Sequence, residues 1–276
     1  MSTYNWHTKV QAYLAKIAGY DVDLPAPTTK AQTYLAKLAG YETDELPTPS
    51  TKTQELLKEI AENGGGSGGS DTTLAKLIDR SITEIVIPDS VTSIGNNAFN
   101  GCTSLVSITL PDSVTSIGNG AFNGCTSLAS ITLPDSLTSI GSTAFRGCTS
   151  LVSITLPDSL TSIGPSFFQD CTSLVSITIP DGITSIGNST FSNCTSLANI
   201  TLPDSVTSIG SSAFYKCTSL TSIALPDSVT SIGTGAFNKI ADDAVIDCAF
   251  AEGAVSGAPW GAPEGVTINY NVPHTI

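Results

Sequence analysis

The sequence predicts a mainly β solenoid of 23-residue coils, and three observations predict it. Proline recurs at positions 88, 111, 134, 157, 180, 203 and 226, and the glycines from Gly95 to Gly233 and the phenylalanines from Phe99 to Phe237 keep the same spacing. Within one period Val114, Ile117, Ala121, Phe122, Cys125, Leu128, Ile131 and Leu133 are apolar, and nearly everything between them is Ser, Thr, Asn, Asp or Gly. Around Ile131 the apolar and polar residues alternate, which is the period of an extended strand with two faces. One such coil cannot close a core. Stacked coils bring equivalent aliphatic residues into columns, and the columns make a continuous interior.

Taken in order, the chain opens with a weaker repeat over residues 8–62. The segments 8–18, 29–39 and 51–61 each predict a short amphipathic helix. Their apolar stripes are Tyr13, Leu14 and Ile17, then Tyr34, Leu35 and Leu38, then Leu56, Leu57 and Ile60. Gly19 and Gly40 read as helix stops, and the Leu-Pro-x-Pro runs at 24–27 and 46–49 as stiff connectors. Helices of about three turns are marginal alone. These stripes therefore call for a partner surface, the alternatives being a small bundle of their own or partial disorder. On this reading residues 1–62 are an anchor, and residues 63–70, all glycine or serine after Asn63, are a flexible tether. Residues 71–83 read as a capping helix over the open end of the solenoid.

The solenoid itself is expected over residues 84–240. In Leu128–Leu133, Ile131 and Leu133 should point inward and Ser130 and Thr132 outward. Pro134 ends that strand, Asp135 follows in a turn, and Leu137 to Ile140 predicts a second short extended piece before Gly141. The run Ser142–Phe145 reads as a tight helical turn whose Ala and Phe plug the convex side. With about 4.8 Å per coil, seven coils make a rod of roughly 34 Å. Residues 241–276 read as a closing cap, with strands at 244–250 and 265–270 and Trp260 folded over the last coil as a lid.

The repeat, with its L-x-S-I-x-L-P-x-S-V-T-S-I-G-x-x-A-F-x-x-C core, resembles the BspA-like leucine-rich repeats over about residues 82–240. That resemblance implies a surface or adhesion scaffold and not a catalyst. The front, from Thr51 through the Asn63–Ser70 glycine run, looks like the N-terminal segment of virion fibre and decoration proteins of bacteriophages from gut bacteria, and the tail is similar to closing segments of prophage leucine-rich repeat proteins. It implies attachment of the front to a capsid or tail protein, a homo-oligomer (a trimer) joined through residues 1–62, and a rod that meets a host-surface protein or glycan. The expected function is then that of a non-enzymatic virion protein; the alternative is a BspA-like bacterial surface adhesin.

Charge narrows the partners. The net charge is −13, and eleven of those negative charges arise from residue 71 onward, so phosphate-rich nucleic acid is an unsuitable ligand. No run approaches the roughly 18 apolar residues of a membrane helix. Residues 1–10 have neither a basic nor an apolar region of a secretory signal, so synthesis and folding in the cytoplasm are expected.

No catalytic or metal constellation is expected and no cofactor. The histidines His7 and His274 stand in terminal segments, and no Cys-x-x-Cys pair exists. Cys102, Cys125, Cys148, Cys171, Cys194 and Cys217 share one inward column, where parallel side chains give poor disulfide geometry; buried reduced thiols are expected, with metal or redox chemistry as the alternative. The Asp column from Asp89 to Asp227 predicts Asx-type turns, or calcium bridging between neighbours. Specificity should come from where the coils differ. Arg146, Gln169, Asp170, Tyr215 and Lys216 are the candidate ligand-binding residues, large side chains on the convex turns of a rod built of small ones, the alternative being that they only solvate the ridge.

Overall fold

The computed structural model describes residues 83–274 apart from 88 and 90. The expected N-terminal helices, their stripes, the glycine tether and the capping segment to residue 82 lie outside the described residues.

The described chain is a β-solenoid with two columns of short parallel strands. The first column holds β1 (Glu84–Val86), β3 (Ser107–Thr109), β6 (Ser176–Thr178), β8 (Asn199–Thr201), β10 (Ser222–Leu225), β12 (Val245–Cys248) and β13 (Thr267–Tyr270). The second holds β2 (Ser93–Ile94), β4 (Ser116–Ile117), β5 (Ser139–Ile140), β7 (Ser185–Ile186), β9 (Ser208–Ile209) and β11 (Ser231–Ile232). Partners stand one period apart, as in Ile85 with Ile108 and Ile186 with Ile209. The expected register holds: Ile131 and Leu133 are buried, and Ser130 and Thr132 are exposed. The first column is discontinuous. Its ladder stops at the bridge between Thr109 and Thr132, resumes where β6 pairs with β8 and lapses again between β8 and β10, and Ser153–Thr155 pairs with neither neighbour.

The corner between the columns is a turn closed by the proline carbonyl, which accepts from Val114, Leu137 and Leu160 at 3.0–3.1 Å. The Asp carboxylates expected to accept there stay exposed instead, and the following serine makes the contact between coils. Ser113 Oγ donates to the Val91 carbonyl at 2.6 Å, and Ser136, Ser159, Ser205 and Ser228 repeat the bond. A main-chain donor already closes the turn, so the carboxylate has no orphan group to satisfy.

The turn ridge differs from its expected form. Ala144 and Phe145 are fully buried as expected, but the backbone is a chain of turns and not a helical one. Thr143 and Gly147 take φ of 57° and 69°, and the N–H groups of Thr143, Phe145 and Gly147 donate to Pro165, Phe167 and Gln169 of the next coil. A helix would turn those donors back into their own coil. Stacking supplies better acceptors, so the ridge becomes a third ladder. Behind it the phenylalanines stack face to face, with centroids 5.3 Å apart from Phe99 to Phe122 and again to Phe145.

The expected cap strands are present, and they continue the stack. β12 pairs in parallel with β10, and β13 with β12. Trp260 lies 23 residues after Phe237 and meets its ring edge-on at 6.2 Å, so the lid is a further member of the aromatic column.

Candidate binding surface

The candidate residues stand on the turn ridge because of where the period puts them. Each follows the buried Phe of its coil, at a position whose side chain faces away from the aromatic column. In the first three described coils the second of these positions is glycine, Gly101, Gly124 and Gly147, with φ of 69–74°. Later coils keep the left-handed backbone but place Asp170, Asn193, Lys216 and Lys239 there, at φ of 60–64°. A side chain in that region costs on the order of 1 kcal/mol, least for Asn and Asp.

Those side chains gather into two contacts. Arg146 Nε stands 3.6 Å from Asp170 Oδ2, and Asn193 Nδ2 donates to Asp170 Oδ1 at 3.0 Å. One stretch further on, Lys216 and Lys239 both place their ammonium over the Tyr215 ring, at 5.4 and 5.6 Å. Each such contact is worth about 0.5–1 kcal/mol at an exposed site. Gln169 contributes its carbonyl to the ridge ladder, accepting from Gly147, and its side chain enters neither contact. The five candidates therefore line one ridge without converging on one pocket. Asn193 and Lys239 join them, although the composition of the coils does not single these two out. They stand 23 residues after Asp170 and Lys216, so the period itself is the signal that finds them.

Arg146, Lys216 and Lys239 are the only Lys or Arg residues among those described, and all three lie on this ridge. Exposed Asp112, Asp135, Asp158, Asp181, Asp204 and Asp227 run along the proline corner. There His274 reaches back to the rod, its Nδ1 lying 2.9 Å from Asp204 Oδ1. The three described cations thus share one face. Among the described residues no three His, Cys, Asp or Glu side chains group to hold a metal ion, and no helix is long and apolar enough to cross a membrane.

All seven cysteines are buried thiols. Burial pushes those of Cys148 and Cys217 up to about 12 and holds Cys171 and Cys194 well above the usual range. Such thiols are poor nucleophiles, since the thiolate is the reactive form.

The comparisons agree with this architecture. The family pattern described as a BspA type leucine rich repeat region matches residues 78–194 and 161–244. A leucine rich cell surface protein of Faecalibacterium prausnitzii is 38% identical with a TM-score of 0.54, over 61% of this chain and 48% of that one. A leucine-rich repeat protein of Eubacterium ventriosum is 30% identical with a TM-score of 0.53, over 58% and 43%. The leucine rich repeat protein of T. pallidum is 37% identical with a TM-score of 0.52, over 57% and 76%. The chain spans about half the length of the first two. Among curated proteins none matches. With more than half of its residues inside the matched pattern, the chain belongs to the BspA-type leucine-rich repeat family.

Proposed function

We propose that this protein is a non-enzymatic adhesion scaffold of a bacterial cell surface, which meets its partner through the turn ridge. The observation that carries the reading is the occupancy of the left-handed ridge positions. Glycine fits them without strain and is used in the first described coils, yet Lys216 and Lys239 stand there later and converge on Tyr215. A strained cation held over an aromatic ring on an otherwise acidic rod suits an acidic partner protein. The family and the surface location named for the Faecalibacterium prausnitzii protein support the surface reading.

The virion reading rests on the resemblance of residues 1–70, which carry the anchor stripes and lie outside the described residues. Antibody against the rod separates the two. Labelling of intact producing cells, removed by protease shaving, supports the surface scaffold. Signal confined to a sedimenting particle fraction overturns it in favour of a particle-mounted rod, in which residues 1–62 would join copies and hold the capsid or tail.

A further inference from the structure

The strand face carries a feature the adhesion ridge does not use. Where the first strand column lapses, a cleft of about 400 Å³ opens across three coils. Its rim carries the hydroxyls of Ser153, Thr155, Thr178 and Thr201, the carboxylate of Asp158 and the amide of Asn199, above the buried Ile154 and Ile177. The main-chain groups of Ser153–Thr155 pair with no other segment among the described residues. They add donors and acceptors to the same wall.

Several departures from the repeat fall on these coils. The position before the central isoleucine is serine in five coils, Ser153 and Ser176 of the cleft among them, whereas it is Glu84 in the first described coil, Val245 in the cap and Asn199 at the cleft. Asparagine brings two donors and a carbonyl acceptor where serine brings one hydroxyl. At the proline corner Gly182 replaces the serine that elsewhere ties coil to coil, and a Cβ at Gly182 would collide with the Leu160 carbonyl oxygen. On the far side Phe167 replaces the small residue of the Ala98, Ala121 and Ala144 column, and the Phe145–Phe168 spacing widens to 5.8 Å. Departures from an otherwise repeated pattern gather where a structure serves something besides its own stability.

The chemistry of the rim selects the ligand. Its side chains offer hydroxyl and amide groups that both donate and accept, one carboxylate and no cation. A carboxylate without a cation disfavours phosphate, sulfate and acidic sugars. The volume lies within the range of small-molecule sites. We infer that the cleft over Ser153–Asp158, Ser176–Pro180 and Asn199–Thr201 is a subsite for a neutral sugar unit of a glycan. This rests on the reading of the rod as a binding scaffold, but it concerns a different face and does not require surface display.

The test is titration of the full chain, followed by saturation-transfer NMR and calorimetry, with neutral mannose, glucose, galactose and N-acetylglucosamine oligosaccharides and with a heparin oligosaccharide. The expected result is millimolar binding of at least one neutral oligosaccharide. Asn199→Ser and Thr178→Val should each weaken it about tenfold, and Arg146→Ala on the ridge should leave it unchanged. Asn199→Ser installs the residue that other coils hold, and matching melting curves establish that both variants fold. Failure of every neutral oligosaccharide, binding of heparin alone, or binding indifferent to both cleft variants overturns the subsite. Each leaves the ridge and the surface labelling untouched.

Discussion

The thiol of Cys171 donates to the carbonyl of Phe145 at 3.0 Å, reaching back 26 residues from one coil to the turn of the one before. Cys125, Cys148, Cys194 and Cys217 make the same bond to Phe99, Phe122, Phe168 and Phe191. The column is thus a row of donors fixing each coil to the aromatic turn behind it. In the native protein at pH 8 these thiols should resist a maleimide reagent, and all seven cysteines should react in denaturant. Rapid native labelling of Cys171 would mean that the column opens. Cys171→Ala should cost about 1 kcal/mol in denaturant unfolding, because the Phe145 carbonyl loses this donor but keeps the one from the Cys148 N–H.

The same burial links stability to alkaline pH. In the unfolded chain the thiols of Cys148 and Cys217 ionise near 9.0, and in the coil near about 12. Between those values the folded state keeps protons that the unfolded state has released, so raising the pH favours unfolding. This stabilisation is complete below pH 9 and is lost progressively toward pH 12, by up to about 1.4 kcal/mol per pH unit for each thiol. Denaturant midpoints across that interval provide the measurement. Replacing both cysteines with alanine should flatten the slope.

Two substitutions toward the repeat consensus should destabilise. Gly182→Ser restores the usual corner residue but drives its Cβ into the Leu160 carbonyl, an overpacking cost of about 1–3 kcal/mol. Phe167→Ala restores the alanine column but empties a fully buried site in edge contact with Phe145 and Phe168, costing about 3–5 kcal/mol. Thermal unfolding checks both variants against the parent chain. A melting temperature that rises with either change would show that the joint is merely irregular.

The ridge answers in the opposite sense. Lys216→Gly and Lys239→Gly relieve a left-handed side chain, so they should be neutral or stabilising by up to about 1 kcal/mol. Beads coated with either variant should nevertheless adhere less well than wild type to the cells that the parent binds. Unchanged adhesion would remove the ridge from the binding surface.

On the strand face, Ile154→Asp should be severe, because it buries an unpaired charge at a side chain only 7% exposed. Ser153→Asp, one residue away and exposed, should change stability by no more than about 0.5 kcal/mol. Equal damage in urea unfolding would place the register one residue out.

That register is legible because alternation in Ser130–Leu133 leaves one inward set, and the 23-residue period then fixes every neighbour. The ridge conformation is not. Thr143 and Ser166 take left-handed φ although neither residue favours it, because stacking, which no single coil encodes, decides where the N–H groups go. Trp260 reads as a lid for a related reason. The proline, serine and glycine marks of the repeat are lost around it, and only the register of β12 on β10 returns it to the aromatic column. Composition singles out Arg146, Gln169, Asp170, Tyr215 and Lys216 as candidates, but which of them meet a neighbour comes from geometry. The cleft is hidden because serine-to-asparagine and serine-to-glycine changes look minor until they are placed on one joint.

The ridge ladder gives the rod a direction. From Asn97 to Phe237 its N–H groups point to the following coil and its carbonyls to the preceding one, the last donor being received by Trp260. Aligned peptide dipoles add, as they do in a helix, but here the positive pole faces the C-terminal end. Because every donor of the ladder faces the same way, a sequence that scarcely distinguishes one coil from the next still builds an object with two unlike poles.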